Sequence, residues 1–272
     1  MTIKPIINLA GQSAVVTGGY GVLGGSIASG LAAAGAKVAI LGRSAEAAEA
    51  KAAELRAAGA DSMALVASVL EERELEAARD RVVQEWGRVD ILVNGAGGNL
   101  SAARTDGTVP FSMSREAFDD VIRLNLHGTV YPTMVFGETM ARQKKGSIIV
   151  ISSMASAQAI SGVLGYSVAK SAIENFTRWM AVDLARRCGP EIRVNAISPG
   201  FFVSKQNRDV LIKPDGSWTE RAQSITKRTP MGRFGDPAEL QGPVLWLCSD
   251  AASFVTGVVI PVDGGFSAFS GI

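Results

Sequence analysis

The chain has 272 residues, 47% of them hydrophobic, and its 27 basic and 26 acidic residues leave a formal net charge of +1. This length predicts one or two domains with a large core, and the balanced charge argues against nucleic acid as a partner. The apolar runs are too short to span a membrane and residues 1–10 lack the pattern of a secretory signal, so we expect a cytoplasmic protein.

Cysteine and histidine are scarce in the chain. Cys188 and Cys248 lie far apart and show no metal-ligand spacing, so we expect two reduced thiols and no metal site, with a disulfide as the lesser alternative. The single histidine, His127, gives little support to a Ser-His-Asp triad or to a histidine-rich metal site.

A strand–turn–helix unit lies near the start of the chain. The β-rich run 13–17 leads into a glycine-rich turn, and the alanine-rich stretch 27–34 favours a helix. Gly19, Gly21 and Gly24 have GxGxxG spacing, which lets the backbone approach a pyrophosphate at a helix N-terminus. We therefore predict a dinucleotide-binding turn, although a tight turn without a ligand has the same local pattern.

The predicted second strand, 37–41, ends without the acidic residue that often holds the ribose 2′-hydroxyl of NAD. Arg43 and Ser44 stand there instead and could hold a 2′-phosphate, which favours NADP over NAD. Alternatively, Arg43 stacks on the adenine and serves either cofactor. Ser44 is also a candidate cap for a helix over 45–58.

Strand and helix patterns then alternate to the end of the chain. Strands are predicted over 62–67, 89–93, 147–151, 192–197 and 257–261, and helices over 71–86, 114–140, 166–187 and 236–248. This alternation predicts one α/β domain over 1–272, a doubly wound (Rossmann) fold with a seven-stranded parallel sheet flanked by helices. A second glycine-rich turn, 94–99, suits close contact with a cofactor, and the polar stretch 201–230 is interpreted as a substrate loop or lid.

Tyr166 and Lys170 stand four residues apart at the start of a predicted helix, so both head groups can reach one bound molecule. A free tyrosine has a pKa of about 10, and a nearby ammonium lowers that value. A tyrosine with a lowered pKa can exchange a proton with an alcohol or ketone. Because a YxxxK pair is common by chance, this interpretation depends on the upstream cofactor site.

Together these motifs resemble the short-chain dehydrogenase/reductase family over almost the whole chain. The matching pieces are Thr17-Gly18…Gly24, Asn94-Gly95-Ala96-Gly97, Asn125, Ser153, Tyr166 with Lys170, Pro199-Gly200 and Val262-Asp263-Gly264-Gly265. Ser153 lies thirteen residues before Tyr166, which is the usual spacing in that family.

The resemblance implies a role for four residues. Tyr166 would be the general acid/base, and Ser153 would hydrogen-bond the substrate oxygen. Lys170 would bind the nicotinamide ribose and lower the pKa of Tyr166, and Asn125 would hold a water of the proton relay. The resemblance also implies NAD or NADP as cofactor, held by Gly18, Gly19, Gly21, Leu23, Gly24, Arg43, Ser44, Ser68, Val69, Asn94, Ala96, Gly97, Tyr166, Lys170, Pro199, Gly200, Phe202 and Ser204.

Three positions depart from the family pattern. Val22 stands where the middle glycine of TGxxxGxG is expected, Ser68 stands where an adenine-binding Asp is common, and Ser204 replaces a threonine. The two serines keep a hydrogen-bonding side chain, so we expect cofactor binding to survive.

In finer detail the stretches TGGYGVLGG and PVDGGFSAFSG resemble the branch of D-mannonate oxidoreductases (fructuronate reductases), near the gluconate 5-dehydrogenases. This resemblance implies a keto or hydroxy sugar acid as the small-molecule substrate. Lys205 and Arg208 could clasp its carboxylate, or they could be solvated charges on a lid. Further candidates for the substrate pocket are Asn99, Met154 and Gln158.

Other functions stay open at this point. The substrate could be 5-ketogluconate, a polyol ketone or a 3-oxoacyl thioester. A dinucleotide-binding sensor without chemistry is the alternative of another class, but a sensor has no need of a proton relay. The resemblance also implies a homotetramer, assembled through the helices at 115–140 and 166–187 and the C-terminal strand.

Overall fold

Seven parallel strands form one sheet in the computed structural model, which describes residues 7–105, 109–204 and 207–271. The strands are β1 (Ser13–Thr17), β2 (Lys37–Gly42), β3 (Ser62–Val66), β4 (Ile91–Asn94), β5 (Lys145–Ile151), β6 (Glu191–Pro199) and β7 (Val259–Val262). Their order is β3-β2-β1-β4-β5-β6-β7, so the strand order reverses between β1 and β4. Ligands of such sheets bind at the carboxyl ends of the strands beside this reversal. The predicted seven-stranded parallel sheet is confirmed.

Helices pack on both faces of the sheet. They are α1 (Val22–Ala33), α2 (Ala45–Ala57), α3 (Glu72–Trp86), α4 (Arg115–Ile122), α5 (Gly128–Gln143), α6 (Leu164–Arg187), α7 (Arg208–Leu211), α8 (Glu220–Arg228) and α9 (Gln241–Cys248). Within the described ranges, none of these helices combines the length and the apolarity that crossing a membrane requires.

Two hydrophobic cores lie against the two faces. Val16 belongs to the core that α1, α2 and α9 cover, whereas its neighbour Val15 belongs to the core under α3, α5 and α6. Successive side chains of a strand point to opposite faces, and a parallel sheet buried on both faces needs nearly continuous apolar strands. This requirement explains why the strands were recognisable in the sequence.

The helix predicted over 114–140 is interrupted. It begins after Ser114, which caps the helix because its Oγ accepts a hydrogen bond from the N–H of Ala117 at 3.3 Å. A π-helical turn, Arg123–His127, then separates α4 from α5. Such a turn accommodates one extra residue within a helix and is frequent at functional sites. Asn125 lies in it and is 0% exposed, so a solvated asparagine at this position is ruled out.

The segment predicted to be irregular over 201–230 contains α7 and α8. Thr219 starts α8, because its Oγ accepts a hydrogen bond from the N–H of Ala222 at 3.2 Å. Leu211, Ala222 and Ile225 form a small hydrophobic core under this segment. These few apolar residues are surrounded by polar ones, so the sequence pattern did not indicate helices. The interpretation of this segment as a loop was wrong over α7 and α8.

Candidate active site

Two glycine-rich turns lie side by side at the carboxyl ends of β1 and β4. Thr17 Oγ1 accepts hydrogen bonds from the N–H groups of Gly95 and Ala96, both at 3.1 Å. Gly18 has a positive φ of +64°, and a Cβ there would lie 3.0 Å from the backbone of Ala96. The backbones therefore approach more closely than side chains would allow, which is the arrangement that a pyrophosphate requires.

Helix α1 begins at Val22, earlier than the predicted 27. Gly24 lies in its first turn and packs on the carbonyl of Gly18, while Leu23 packs against the hydrophobic core. Val22, which replaces the expected glycine, is the first helical residue and is exposed. The first N–H groups of α1 have no intrahelical partner, as at every helix start, and they can bind an anion.

Tyr20 covers the end of β2, where the sequence favoured a 2′-phosphate site. Its hydroxyl accepts a hydrogen bond from the N–H of Ser44 at 3.3 Å, and its ring lies on Gly42. Ser44 caps α2 as predicted, since its Oγ accepts from the N–H of Ala47 at 3.2 Å. Arg43 is exposed and makes no hydrogen bond or ion pair within the described ranges.

Three more predicted cofactor residues lie at the ends of β3 and β4. The N–H of Ser68 donates to Glu74 Oε2 at 2.7 Å, and its Oγ accepts from Leu70. Val69 is buried. Asn94 donates from Nδ2 to Thr133 Oγ1 at 2.9 Å, while its buried Oδ1 has no partner in the described part of the chain. An unpaired buried oxygen fits a site that a ligand completes.

Asn125 holds the second glycine-rich turn in place. Its Oδ1 accepts from the N–H of Gly98 at 2.9 Å, and its Nδ2 donates to the carbonyls of Gly98 and Val121 at 2.8 and 2.9 Å. Gly97, at φ +157°, passes so close that a Cβ would lie 2.7 Å from Asn125 Oδ1 and 3.5 Å from Lys170 Nζ. Both amide protons of Asn125 are thus used by the protein itself.

Lys170 is buried next to this turn, with 4% of its surface exposed. Its Nζ donates to the carbonyl of Ile151, the last residue of β5, at 2.7 Å. Nζ also lies 5.4 Å from the centre of the Tyr166 ring, because both residues share one face of α6, as their spacing predicted. Burial lowers the pKa of Lys170 to about 8.

Tyr166 packs against Ala103, Ala117 and Val121. Burial raises the pKa of its phenol above the ordinary value, and the hydroxyl of Ser153 acts in the opposite direction. The expected lowering by Lys170 is therefore not what the chain's own groups produce. Desolvation of the phenolate is the larger of these two effects on the pKa of Tyr166.

Glu174 is a residue that the sequence interpretation missed. Its Oε1 accepts hydrogen bonds from the hydroxyls of Ser152, at 2.8 Å, and Ser156. Ser156 Oγ also lies 2.7 Å from the carbonyl oxygen of Ser153, so its single proton is shared between the two acceptors. The carboxylate thereby braces the turn that carries Ser153. A signal was present, because residues 166, 170 and 174 recur at four-residue spacing on one helix face.

The turn after β6 contains four more predicted cofactor residues. Pro199 ends the strand, and the N–H of Gly200 donates to the carbonyl of Val262 at 2.9 Å. The ring of Phe202 packs on Gly235, and the N–H of Ser204 donates to Asn207 Oδ1 at 2.7 Å. The Phe202 side chain is therefore turned into the protein. Its carbonyl accepts a hydrogen bond from Asn207 Nδ2 at 2.8 Å, which leaves its backbone N–H for a cofactor.

The predicted substrate residues are spread around this edge. Asn99 Oδ1 is buried without a partner in the described ranges, and Met154 is buried. Gln158 is exposed, with Nε2 at 3.5 Å from the carbonyl of Ser267. Arg208 is exposed on α7, and Lys205 lies outside the described residues.

A second arginine of this segment reaches the loop before α6. Arg221 on α8 donates to the carbonyl of Ser161 at 3.2 Å, in the loop that leads to Tyr166. The sequence interpretation missed it because α8 was taken for irregular chain. Taken together, the edge offers backbone cradles, an unpaired amide oxygen and a phenol beside an ammonium, which fit a dinucleotide and an alcohol or carbonyl compound.

Comparisons with known proteins agree with this geometry. A family model described as enoyl-(acyl carrier protein) reductase matches residues 21–267. An uncharacterised oxidoreductase of Bacillus subtilis, UxuB, is 45% identical over 97% of this chain and 98% of its own length.

Two solved structures are also similar. A candidate D-mannonate oxidoreductase from Haemophilus influenzae with bound NAD has a TM-score of 0.92 and 40% identity, covering 98% of both chains. A gluconate 5-dehydrogenase from Burkholderia cenocepacia in complex with NADP and tartrate has a TM-score of 0.86 and 32% identity, covering 96% of this chain and 97% of that one.

Proposed function

Because the chain belongs to the short-chain dehydrogenase/reductase family and is an NAD(P)-dependent oxidoreductase, we propose that it interconverts a keto and a hydroxy sugar acid of the D-fructuronate/D-mannonate type. The observation that carries the reaction class is the meeting of Tyr166, Ser153 and Lys170 at one edge of the sheet. The substrate class is supported by the similarity to a candidate D-mannonate oxidoreductase and a gluconate 5-dehydrogenase.

In the reductive direction Tyr166 acts as the acid. Because burial raises the pKa of its phenol, Tyr166 keeps its proton near neutral pH and can give it to the carbonyl oxygen as charge develops there. Ser153 donates a hydrogen bond to the same oxygen, which stabilises the charge in the transition state. When bound, the nicotinamide supplies or accepts the hydride at the carbon.

In the oxidative direction Tyr166 accepts the proton of the substrate hydroxyl. The phenolate is then stabilised by the ammonium of Lys170, whose Nζ is 5.4 Å from the ring centre. The same ammonium is held by the Ile151 carbonyl and is positioned to donate to a ribose hydroxyl. We assign Asn125 the support of this relay, since it fixes the turn that contains Gly97 and Gly98.

The cofactor is held by the two glycine-rich turns and the turn after β6. Thr17, Gly18 and Gly24 form the first part of this cradle, and Asn94 offers an unpaired oxygen. For the substrate we assign Asn99, Met154 and Gln158 to the pocket wall. The segment 201–230, which includes Lys205 and Arg208, would form the outer wall and supply a cation for the carboxylate.

The protein would work as a homotetramer. Met134 on α5 and Trp179 and Val182 on α6 are large apolar side chains that are more than half exposed, at 57%, 61% and 58%. Exposed apolar patches of this kind are typical of protein interfaces. Two free thiols, Cys188 and Cys248, support a reducing compartment such as the cytoplasm.

The substrate is tested by following nicotinamide absorbance with purified protein and NADH or NADPH. The panel is D-fructuronate, D-tagaturonate, 5-keto-D-gluconate and an acetoacetyl thioester. We expect turnover with one keto sugar acid and none with the thioester. Turnover of the thioester alone would overturn the sugar-acid assignment and leave the reaction class in place.

A further inference from the structure

We propose that Tyr20 sets the choice of cofactor and makes the protein prefer NAD over NADP. The proposal rests on the proposed function only in requiring that a nicotinamide dinucleotide binds at the ends of β1 and β2. It assigns the phenol of Tyr20 to the ribose 2′-oxygen of the adenosine half, in place of an acidic side chain at the end of β2.

The ring of Tyr20 takes the space in which that acid would lie. A Cβ at Gly42 would be 2.8 Å from Cζ and 2.9 Å from the hydroxyl oxygen of Tyr20, and still closer to the ring edge. Real Cβ atoms do not approach other atoms so closely. Gly42 does not have a positive φ, so a side chain there would meet no backbone strain but would require the end of the Tyr20 ring to turn away. In its present position the Tyr20 ring takes the place of a side chain at residue 42.

The hydroxyl of Tyr20 also accepts the hydrogen bond of the Ser44 N–H, a donor that a 2′-phosphate would otherwise use. The N–H of Ser44 points at this oxygen at 3.3 Å, and Ser44 Oγ is engaged at the start of α2. A phosphate only accepts hydrogen bonds and needs several donors. To reach the Ser44 N–H, the phosphate would have to displace the ring. With the ring in place, the phosphate would depend on Arg43 and on the hydroxyl proton of Ser44.

A ribose 2′-hydroxyl does not need several hydrogen-bond donors. A phenol that accepts one hydrogen bond still has its own proton to donate, and the ribose hydroxyl can accept it. Tyr20 is 36% exposed, so its outer edge is open to a ligand. The two cofactors therefore differ at this residue. The 2′-hydroxyl of NAD can accept the phenol proton with the ring in place, whereas the 2′-phosphate of NADP needs the space that the ring takes.

The test measures dissociation constants for NADH and NADPH by calorimetry, without substrate, on the wild type and on Tyr20→Phe, Tyr20→Ser and Tyr131→Phe. Tyr131 is an exposed tyrosine on α5 and serves as the matched control.

We expect the wild type to bind NADH at least about tenfold more tightly than NADPH. Tyr20→Phe, which keeps the ring, should weaken NADH roughly three- to tenfold, the cost of one hydrogen bond. Tyr20→Ser should tighten NADPH by about fivefold or more, because the phosphate regains the Ser44 N–H.

Gly42→Asp supplies a second, independent readout. Alone it should weaken both cofactors or lower the melting temperature, because the new side chain meets the Tyr20 ring. With Tyr20→Ser in the same chain, NADH binding should return to within about threefold of the wild type and NADPH binding should be lost. The double variant keeps the proposal testable if the single variant does not fold.

Two results separate failure of this inference from failure of the proposed function. If both Tyr20 variants leave the ratio of the two dissociation constants within about twofold of the wild type, Tyr20 is a packing residue and the inference is overturned. If the folded wild type binds neither dinucleotide, the proposed function fails as well.

Discussion

Ser152 donates a hydrogen bond from Oγ to Glu174 Oε1 at 2.8 Å and thereby joins the end of β5 to the middle of α6. Glu174 also receives the hydroxyl of Ser156, and its side chain is only 12% exposed. Ser153 lies between these two serines. We infer that Glu174 is a positioning residue, which orients the Ser153 hydroxyl that we propose to contact the substrate oxygen.

Glu174→Ala should lower kcat about tenfold or more with little change in KM, since an unsatisfied buried hydroxyl costs about 1–3 kcal/mol and frees the turn to move. Glu174→Gln keeps one acceptor oxygen and should recover most of the activity. The dissociation constant for NADH should stay unchanged in both variants. Glu76, an exposed residue of α3, provides the control variant Glu76→Ala. Equal losses in the Ala and Gln variants would contradict the positioning role.

Tyr166→Phe removes the proton donor and keeps the ring. Turnover should fall by at least about 10³-fold, whereas the NADH dissociation constant should stay within a few-fold of the wild type. Steady-state rates and calorimetry on the same preparation check this prediction. A parallel loss of binding and turnover would count against the assigned role.

Ser153→Ala should act on both rate and pH dependence. Loss of one hydrogen-bond donor to the developing charge should lower kcat about 10²-fold or more. Ser153 opposes the rise in the pKa of Tyr166, so the pKa of the phenol should rise further in the variant. Phenolate formation then needs a higher pH, and the pH profile of the oxidative reaction should shift in the alkaline direction. An unchanged pH profile would show that Ser153 does not interact with the phenol, and a shift towards acid would show an interaction of the opposite sign.

The buried ammonium of Lys170 should make stability depend on pH. Its pKa is lowered from 10.5 to about 8 in the folded state, so below pH 8 both states are protonated and the folded state bears the full cost of burying the charge. Between these two pKa values the unfolded state binds more protons, and the free energy of unfolding rises with pH by up to about 1.4 kcal/mol per pH unit.

Urea unfolding at several pH values from 7 to 10 measures this effect, with Lys170→Met as the reference that lacks the group. The wild type should gain stability relative to Lys170→Met as the pH rises above 8. A difference that stays constant across this range would mean that the ammonium is solvated in the folded protein.

Trp179→Glu should disrupt assembly. The side chain is 61% exposed on α6, and a buried carboxylate in an apolar contact carries a large desolvation cost. Light scattering at micromolar concentration should give a tetramer for the wild type and a smaller species for the variant. A monomeric wild type would refute the proposed tetramer.

The sheet could be predicted from the sequence because each strand is a short apolar run between helical patterns, and the parallel order follows from that alternation. Residues 166 and 170 could be placed on one helix face for the same kind of reason, since their spacing is local. The π-helical turn at Arg123–His127 could not be predicted, because one additional residue in a long helix leaves no clear mark in hydrophobic periodicity.

The other features that could not be predicted depend on contacts between distant parts of the chain. Tyr20 contacts Gly42 only because β1 and β2 pair, and no local sequence pattern predicts that contact. The burial that raises the pKa of Tyr166 likewise depends on Ala103, Ala117 and Val121, which come from elsewhere in the chain. Helix α8 was missed because its three apolar anchors are outnumbered by polar residues.

The π-helical turn between α4 and α5 also fixes an angular relationship. Each residue of a helix advances its neighbours by about 100° around the axis, so one additional residue turns everything beyond it by that amount. Asn125, within this turn, faces the glycine-rich turn, and Met134, beyond it, faces outward. Without the extra residue, a helix that kept Asn125 in place would turn Met134 by about 100° from its present outward direction. The π-helical turn therefore determines which residues of this helix face the candidate active site and which face the surface available to neighbouring subunits.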